Sequence, residues 1–270
     1  MAGAYDKGGE DIKPIVCSLS QDIMSVHIYP IADLHIGDPN RDVAEIQRVI
    51  DAIKADDNAF VILAGDLLNN AIKTSVSDIY SETMQPMEAM QTACLLLSPI
   101  KDKILCATTG NHEERSYRQD GVDLMMIVAQ QLGFADRYRP DFCYLFLSFG
   151  SKASRRSEGR RQSYTVYVNH GNGGGRKMGG KINRLADLGS ICDADVYVVG
   201  HTHTPAVFKD RYMRAQPCSN SVELVERTFV NTTAYLNYGG YGSRQAYQPN
   251  AIACPVITLD GSKRRVEVTI

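Results

Sequence analysis

Five short apolar runs constrain this chain more than any other feature: VHIYPIA (26–32), AFVILA (59–64), KILCATT (103–109), YTVYVN (164–169) and DVYVVG (195–200). Each is short, apolar and rich in β-branched or aromatic residues, so each reads as a buried strand. Segments with helical periodicity alternate with the first three. RDVAEIQRVIDAIKADD carries Val43, Ile46, Val49, Ile50 and Ile53 on one stripe, with Asp42 and Glu45 as a start signal. GVDLMMIVAQQLGF reads as a second helix stopped by Gly133, and SETMQPMEAMQTACLLL as a Met-rich third, interrupted early by Pro86. This alternation through the first 135 residues predicts an α/β sheet with covering helices. From 142 on, CYLFLSFG and SYTVYVN predict an antiparallel hairpin, and SVELVERTFVN, PVITL and RVEVTI predict a strand-dominated C-terminal part. With no internal repeat and no Pro- or Ser-rich linker, residues 1–270 read as a single domain, of which 1–14 form a polar lead-in.

Composition sets the broad class. A charged fraction of 22% and a net charge of -2 describe a globular protein, and no apolar run approaches the roughly 18 residues that span a bilayer. The opening MAGAYDKGGEDIKP lacks the basic patch and apolar core of a secretory signal. Seven scattered cysteines, never spaced as CxxC, argue against a disulfide framework or a zinc ribbon and read as small buried hydrophobes. The expectation is a cytoplasmic protein that makes no use of a membrane.

The residues just after each strand carry the chemistry. The first run leads into Asp33, Leu34 and His35, the second into Gly65 and Asp66, and the third into Gly110, Asn111, His112 and Glu113. The fourth leads into His170 and Gly171, and the fifth into His201, Thr202 and His203. Five of six histidines thus fall at strand C-terminal ends, where α/β folds place their ligand sites. Singly each has an ordinary explanation: Gly-Asp makes turns, Asn111 caps a helix, and His170 sits in a core. His27, inside an alternating strand, keeps the ordinary reading. Jointly, Asp33, His35, Asp66, Asn111, His170, His201 and His203 form a mixed oxygen and nitrogen set without cysteine. Such a set suits manganese, iron or zinc, and seven donors suit two ions sharing a carboxylate better than one ion.

In this order, DLH, GD, GNHE, NHG and GHTH resemble the five signature blocks of the calcineurin-like metallophosphoesterase superfamily, spread from 33 to 203. The resemblance implies a four-layer α-β-β-α sandwich in which two mixed β-sheets are flanked by helices. It implies two divalent ions, manganese foremost, with iron, zinc or nickel as alternatives. Asp33, His35 and His203 would hold one ion, and Asn111, His170 and His201 the other, with Asp66 bridging. His112 would contact phosphate and act as general acid, and Glu113 would orient His112. A water between two cations loses its proton near neutral pH and becomes the nucleophile.

The substrate is less constrained. Protein phosphatases of this superfamily extend two blocks to GDxVDRG and RGNHE, whereas this chain reads GDLLNN and TTGNHE. The arginines that grip a phosphomonoester are absent, which moves weight toward phosphodiesters. From Gly150 to Arg184 nine basic residues (Lys152, Arg155, Arg156, Arg160, Arg161, Arg176, Lys177, Lys181 and Arg184) face one acidic residue, Glu158. A basic concentration bracketing His170, in an otherwise acidic chain, fits a polyanion. Tyrosines interleaved with glycine around Arg244 fit base stacking. The expectation is therefore a phosphodiesterase acting on DNA or RNA, with Arg115, Arg176, Lys177 and Arg244 as substrate contacts. Its rivals are a small-nucleotide phosphodiesterase, a phosphomonoesterase, and a metal-stabilised scaffold without turnover. The last is disfavoured because every ligand position is filled.

Overall fold

A computed structural model of the protein describes residues 12–76, 78–152 and 159–270. The first strand, β1 (Ile15–Ser18), precedes β2 (Ser25–Ile31), α1 (Val43–Ala55), β3 (Ala59–Ala64), α2 (Pro86–Leu97), β4 (Ile104–Thr108), α3 (Asn111–Asp120) and α4 (Leu124–Leu132). Then come β5 (Phe142–Phe149), β6 (Gln162–Asn169), α5 (Met178–Ile191), β7 (Val196–Val199), β8 (Ala206–Gln216), β9 (Ser221–Asn231), α6 (Gly240–Arg244), β10 (Val256–Asp260) and β11 (Val266–Thr269). One sheet runs β11-β10-β2-β3-β4 and the other β1-β5-β6-β7-β9-β8. Both are mixed: β2, β3 and β4 are parallel, as are β6, β7 and β9, while β5–β6 and β8–β9 are antiparallel.

Strand periodicity builds the layers. Along β3, Ile62 and Ala64 enter the core between the sheets with Val166, Val168 and Val198, while Val61 and Leu63 enter the core under the helices. The helix α1 lays Ile46, Val49, Ile50 and Ile53 on that second face. Each of these side chains contributes up to about 1.5–3 kcal/mol by leaving water. On the outside of the other sheet, Leu185 and Leu188 of α5 pack with Tyr167, Tyr197 and Phe229. The result is the expected four-layer α-β-β-α arrangement.

The expected start and stop signals hold: Asp42 accepts from the Glu45 N–H at 3.0 Å, and Gly133 ends α4 in the left-handed conformation with φ 80°. Pro86 behaves differently from the expectation. It occupies the first turn of α2, where a missing N–H costs no hydrogen bond, so it starts the helix instead of interrupting it. Residues 1–11 of the expected lead-in lie outside the described residues. All seven cysteines are free thiols. Among the described residues no helix is long and apolar enough to cross a membrane.

Candidate active site

Because β2, β3 and β4 run parallel in one sheet and β6 and β7 in the other, their C-terminal ends open at one edge of the sandwich. Asp33 and His35 follow β2, Asp66 follows β3, Asn111 to Glu113 open α3 after β4, His170 follows β6, and His201 and His203 follow β7. Two-residue strand alternation does not bring the paired donors together. Asp33, His35, Asp66, His201 and His203 all take the left-handed conformation, with φ between 45° and 64°. Non-glycine residues hold that conformation only when their surroundings over-determine it, and such strain gathers at functional sites.

Glycine makes the crowding tolerable at two points. A Cβ on Gly110 would stand 2.1 Å from Asp66 Oδ1, and one on Gly200 would stand 2.7 Å from Asp33 Oδ2. Each carboxylate therefore occupies space that only glycine leaves.

The donors fall into two groups. Asp33 Oδ1 lies 3.2 Å from His203 Nε2 and 3.8 Å from His35 Nε2, and the two imidazole nitrogens are 3.2 Å apart. On the other side, His170 Nε2 lies 3.1 Å from Asp66 Oδ2 and 3.2 Å from Asn111 Oδ1, which is 2.7 Å from His201 Nδ1. Asp66, His35 and His112 likewise share a small volume between the two groups.

Two observations show that this set suits cations. The His170 Nδ1 donates to the Ala64 carbonyl at 2.7 Å, which turns Nε2 toward two oxygens, Asp66 Oδ2 and Asn111 Oδ1. Acceptors converging in this way need a proton or a metal between them, and a carbonyl-anchored imidazole is how metal-binding histidines are oriented. In the other group Asp33 Oδ1 is buried without a hydrogen-bond partner among the described residues. Charges reinforce the pattern. Burial, with His112 and His203 beside it, holds His35 well below its ordinary pKa, and burial with His170 nearby also lowers His201. Neutral imidazoles are the metal-binding form. Burial opposes charge on His170 too, but Asp66 outweighs it and pushes the imidazole up to about 10. The same pairing, against burial, holds Asp66 well below the carboxylate range.

The surrounding residues depart from the sequence reading. Glu113 does not contact His112. Its Oε1 accepts from the Leu68 N–H at 2.8 Å, and its Oε2 accepts from the N–H groups of Asp66 and Gly110, each at 3.0 Å. The first turn of α3 aims the carboxylate at backbone, so it joins the Asp66 loop to the Gly110 turn. Burial, then Asp66, pushes Glu113 up to about 7, with the Leu68 N–H pulling the other way. His112 is instead oriented by the Asn69 carbonyl, which accepts from its Nδ1 at 2.6 Å. Sequence reasoning does not single out Asn69, although its place three residues after Asp66 in GDLLNN marks it. Thr202 points away from the donors as its place between His201 and His203 suggests, with its hydroxyl accepting from Asn231 Nδ2 at 2.6 Å.

The basic region divides. The β5–β6 register pairs Phe149 with Gln162 at one end and Phe142 with Asn169 at the other. Lys152, Arg160 and Arg161 flank the first end, and His170 follows the second. Eight residues of strand, at about 3.3 Å each, put roughly 25 Å between them. Arg155 and Arg156 lie outside the described residues. Lys181 reaches the Thr202 carbonyl at 2.8 Å and the Thr204 hydroxyl at 2.5 Å, and Arg184 reaches Asn172 at 3.3 Å, so both pin site loops. Arg115 donates to the carbonyls of Asn69 and Asn70 at 3.2 and 3.3 Å. Arg176 lies over the Tyr247 ring at 5.5 Å, next to Lys177, and Arg244 is exposed in α6.

A two-sheet sandwich with carboxylate and imidazole clusters at the shared strand ends defines a class of metal-dependent hydrolases. Comparison with known families narrows it: residues 27–205 match Calcineurin-like phosphoesterase, and the chain belongs to that family. Membership makes it a metal-dependent phosphoesterase and implies two divalent ions. No curated protein matches the sequence significantly. Among solved structures, Vacuolar Protein Sorting 29 from Cryptosporidium parvum is 14% identical with a TM-score of 0.45, covering 92% of this chain and 98% of that one. A conserved uncharacterized protein from Streptococcus pneumoniae, described as a predicted phosphoesterase, is 12% identical (TM-score 0.38, 91% and 90% covered), and a metallophosphoesterase from Sphaerobacter thermophilus 14% (TM-score 0.36, 87% and 84% covered). Similarities this distant say nothing of substrate.

Proposed function

We propose that this protein is a dinuclear phosphodiesterase acting on nucleic acid, with manganese as its metal. Asp33, His35 and His203 would hold one ion, Asn111, His170 and His201 the other, and Asp66 would contribute to both. The observation that carries this reading is the convergence of His170 Nε2, Asp66 Oδ2 and Asn111 Oδ1 beside the Asp33, His35 and His203 group. When bound, two divalent ions activate water and offset charge on the phosphate oxygens.

The chain's own residues do the rest. His112 carries a proton on Nδ1 toward Asn69 and presents Nε2 to the departing oxygen. Burial lowers the His112 pKa against the pull of Asp66, and an arriving anionic phosphate restores the protonated form. Glu113 keeps the Asp66 and Gly110 loops at their separation. Asn70 stands where protein phosphatases carry the arginine that grips a terminal phosphate, which favours a diester. Arg176, Lys177 and Arg244, with Tyr247 under Arg176, supply the nucleic-acid contacts.

The test is a panel of single-stranded DNA, RNA, cyclic nucleotides and p-nitrophenyl esters with the manganese-loaded protein. Three cationic contacts predict a log-log salt slope of about -2 on single strands. Turnover of polynucleotide with that slope, lost in Asp66→Asn, supports the reading. Salt-independent turnover confined to cyclic nucleotides or monoesters overturns it.

A further inference from the structure

We infer that Glu82, in the segment between β3 and α2, is a positioning residue for His112 and acts through Asn69. The inference rests on the reading of His112 as the group that protonates the leaving oxygen.

The chain of contacts is short. A carbonyl can only accept, so the 2.6 Å contact between His112 Nδ1 and Asn69 O fixes the proton on Nδ1. The other nitrogen, Nε2, then faces the site, 3.7 Å from Asp66 Oδ2. The direction of the Asn69 carbonyl therefore sets where the imidazole points. Glu82 Oε1 accepts from Asn69 Nδ2 at 2.6 Å and from the Ala71 N–H at 2.9 Å. A single carboxylate oxygen thus clamps the chain on both sides of Asn70.

Asn70 needs that clamp. It is left-handed, with φ 45°, and such a residue relaxes unless held. Its own side chain donates to His112 O at 2.7 Å and to Ser116 Oγ at 3.0 Å, which ties it to α3. Glu82 supplies the tie from the opposite side. Its own segment is moored to the loop after β2, because the Thr83 N–H and hydroxyl each reach the Gly37 carbonyl at 2.9 Å. Glu82 is half-buried and touches none of the metal-type donors through any hydrogen bond or ion pair seen among the described residues.

The test uses metal-loaded protein and aryl methyl phosphodiesters whose leaving phenols span a range of pKa. A general acid matters for poor leaving groups and little for good ones. Glu82→Ala should lower kcat about 10-fold on the poorest leaving group and less than about 2-fold on 4-nitrophenol, with KM unchanged. Asn69→Ala should do the same, and the double variant should be no worse than either. Glu82→Gln, which keeps an acceptor oxygen, should restore the wild-type slope. Thr83→Val, which removes the hydroxyl bond to Gly37 but keeps the Thr83 N–H bond and both Glu82 contacts, should also keep it.

A uniform fall across the series, or a Thr83→Val slope matching that of Glu82→Ala, overturns the inference. If Glu82→Ala does not fold, Asn69→Ala carries the same test. A His112→Ala series separates the two levels. A wild-type slope there sinks the reading of His112 itself, whereas a steepened slope there with an unchanged one in Glu82→Ala sinks only the role of Glu82.

Discussion

Removing the Glu113 carboxylate tests whether this residue braces the site or serves the proton donor. The side chain is 1% exposed, and its two oxygens accept three backbone N–H groups, from Leu68, Asp66 and Gly110, at 2.8 to 3.0 Å. Glu113→Ala leaves three buried donors without partners, each costing about 1–3 kcal/mol. Some of that is recovered as the loops relax, so a loss of roughly 3–5 kcal/mol is expected. Glu113→Gln keeps the volume but turns one oxygen into a donor facing an N–H, for a loss of about 1–3 kcal/mol. Urea denaturation of metal-free protein reads both, as a lowered midpoint at unchanged m-value. Metal titration reads the consequence for Asp66, whose loop the carboxylate holds: affinity should fall in both variants. A Glu113→Ala protein within about 0.5 kcal/mol of wild type refutes the bracing argument. So does a variant that loses turnover only on poor leaving groups while binding metal normally, since that is the signature of a partner to His112.

The geometry sets three further outcomes. Gly110→Ala, whose new Cβ would stand 2.1 Å from Asp66 Oδ1, should cost about 2–4 kcal/mol and abolish turnover, measured by denaturation and by diesterase assay. Lys181→Met should raise the KM for metal several-fold with little change in metal-saturated kcat, because it frees the Thr202 and Thr204 loop between and beyond the two histidines. Acidification should destabilise the fold. Partial burial raises the carboxyl pKa of Asp56 and Asp193, but hydrogen bonds from His27 and the Asn58 N–H, and from Tyr212 and Arg214, more than reverse it. Carboxyls held low in the fold add stability above their unfolded pKa of about 3.9 and lose it as pH falls below that. Urea midpoints should therefore drop as pH falls below about 4, and less steeply in Asp193→Asn.

The parts of this protein legible in the sequence are those where one chemistry recurs at one kind of place. A metal-type residue after each of five apolar runs is readable because strand ends are marked by hydrophobicity alone. The parallel strands then have no choice but to gather those residues at one edge. Glu82 and Lys181 leave no such mark, and Asn69 leaves only its place after Asp66. Their roles lie in contacts with backbone carbonyls and amides of distant segments, and spacing does not encode these. The strand β8 is silent in the sequence because AVFKDRYMRAQ pairs with β9 over eleven residues with mostly half-exposed or exposed side chains, so no apolar face announces it. The basic concentration misleads for a related reason. Charge is counted along the chain, but β6 is a rigid extended strand that carries the hairpin tip away from His170. Proximity in sequence there becomes separation in space. Glu113 misleads because a residue next to His112 in a helix points a full 100° away from it around the axis.

The central claim is that two groups of donors sharing Asp66 hold two ions. The most direct test is metal content by mass spectrometry after equilibration of purified protein with manganese and removal of free ion. Two ions per chain in the wild type, and one in both His203→Ala and His170→Ala, is the result this account predicts. A single ion in the wild type, or a second ion that survives both substitutions, contradicts it.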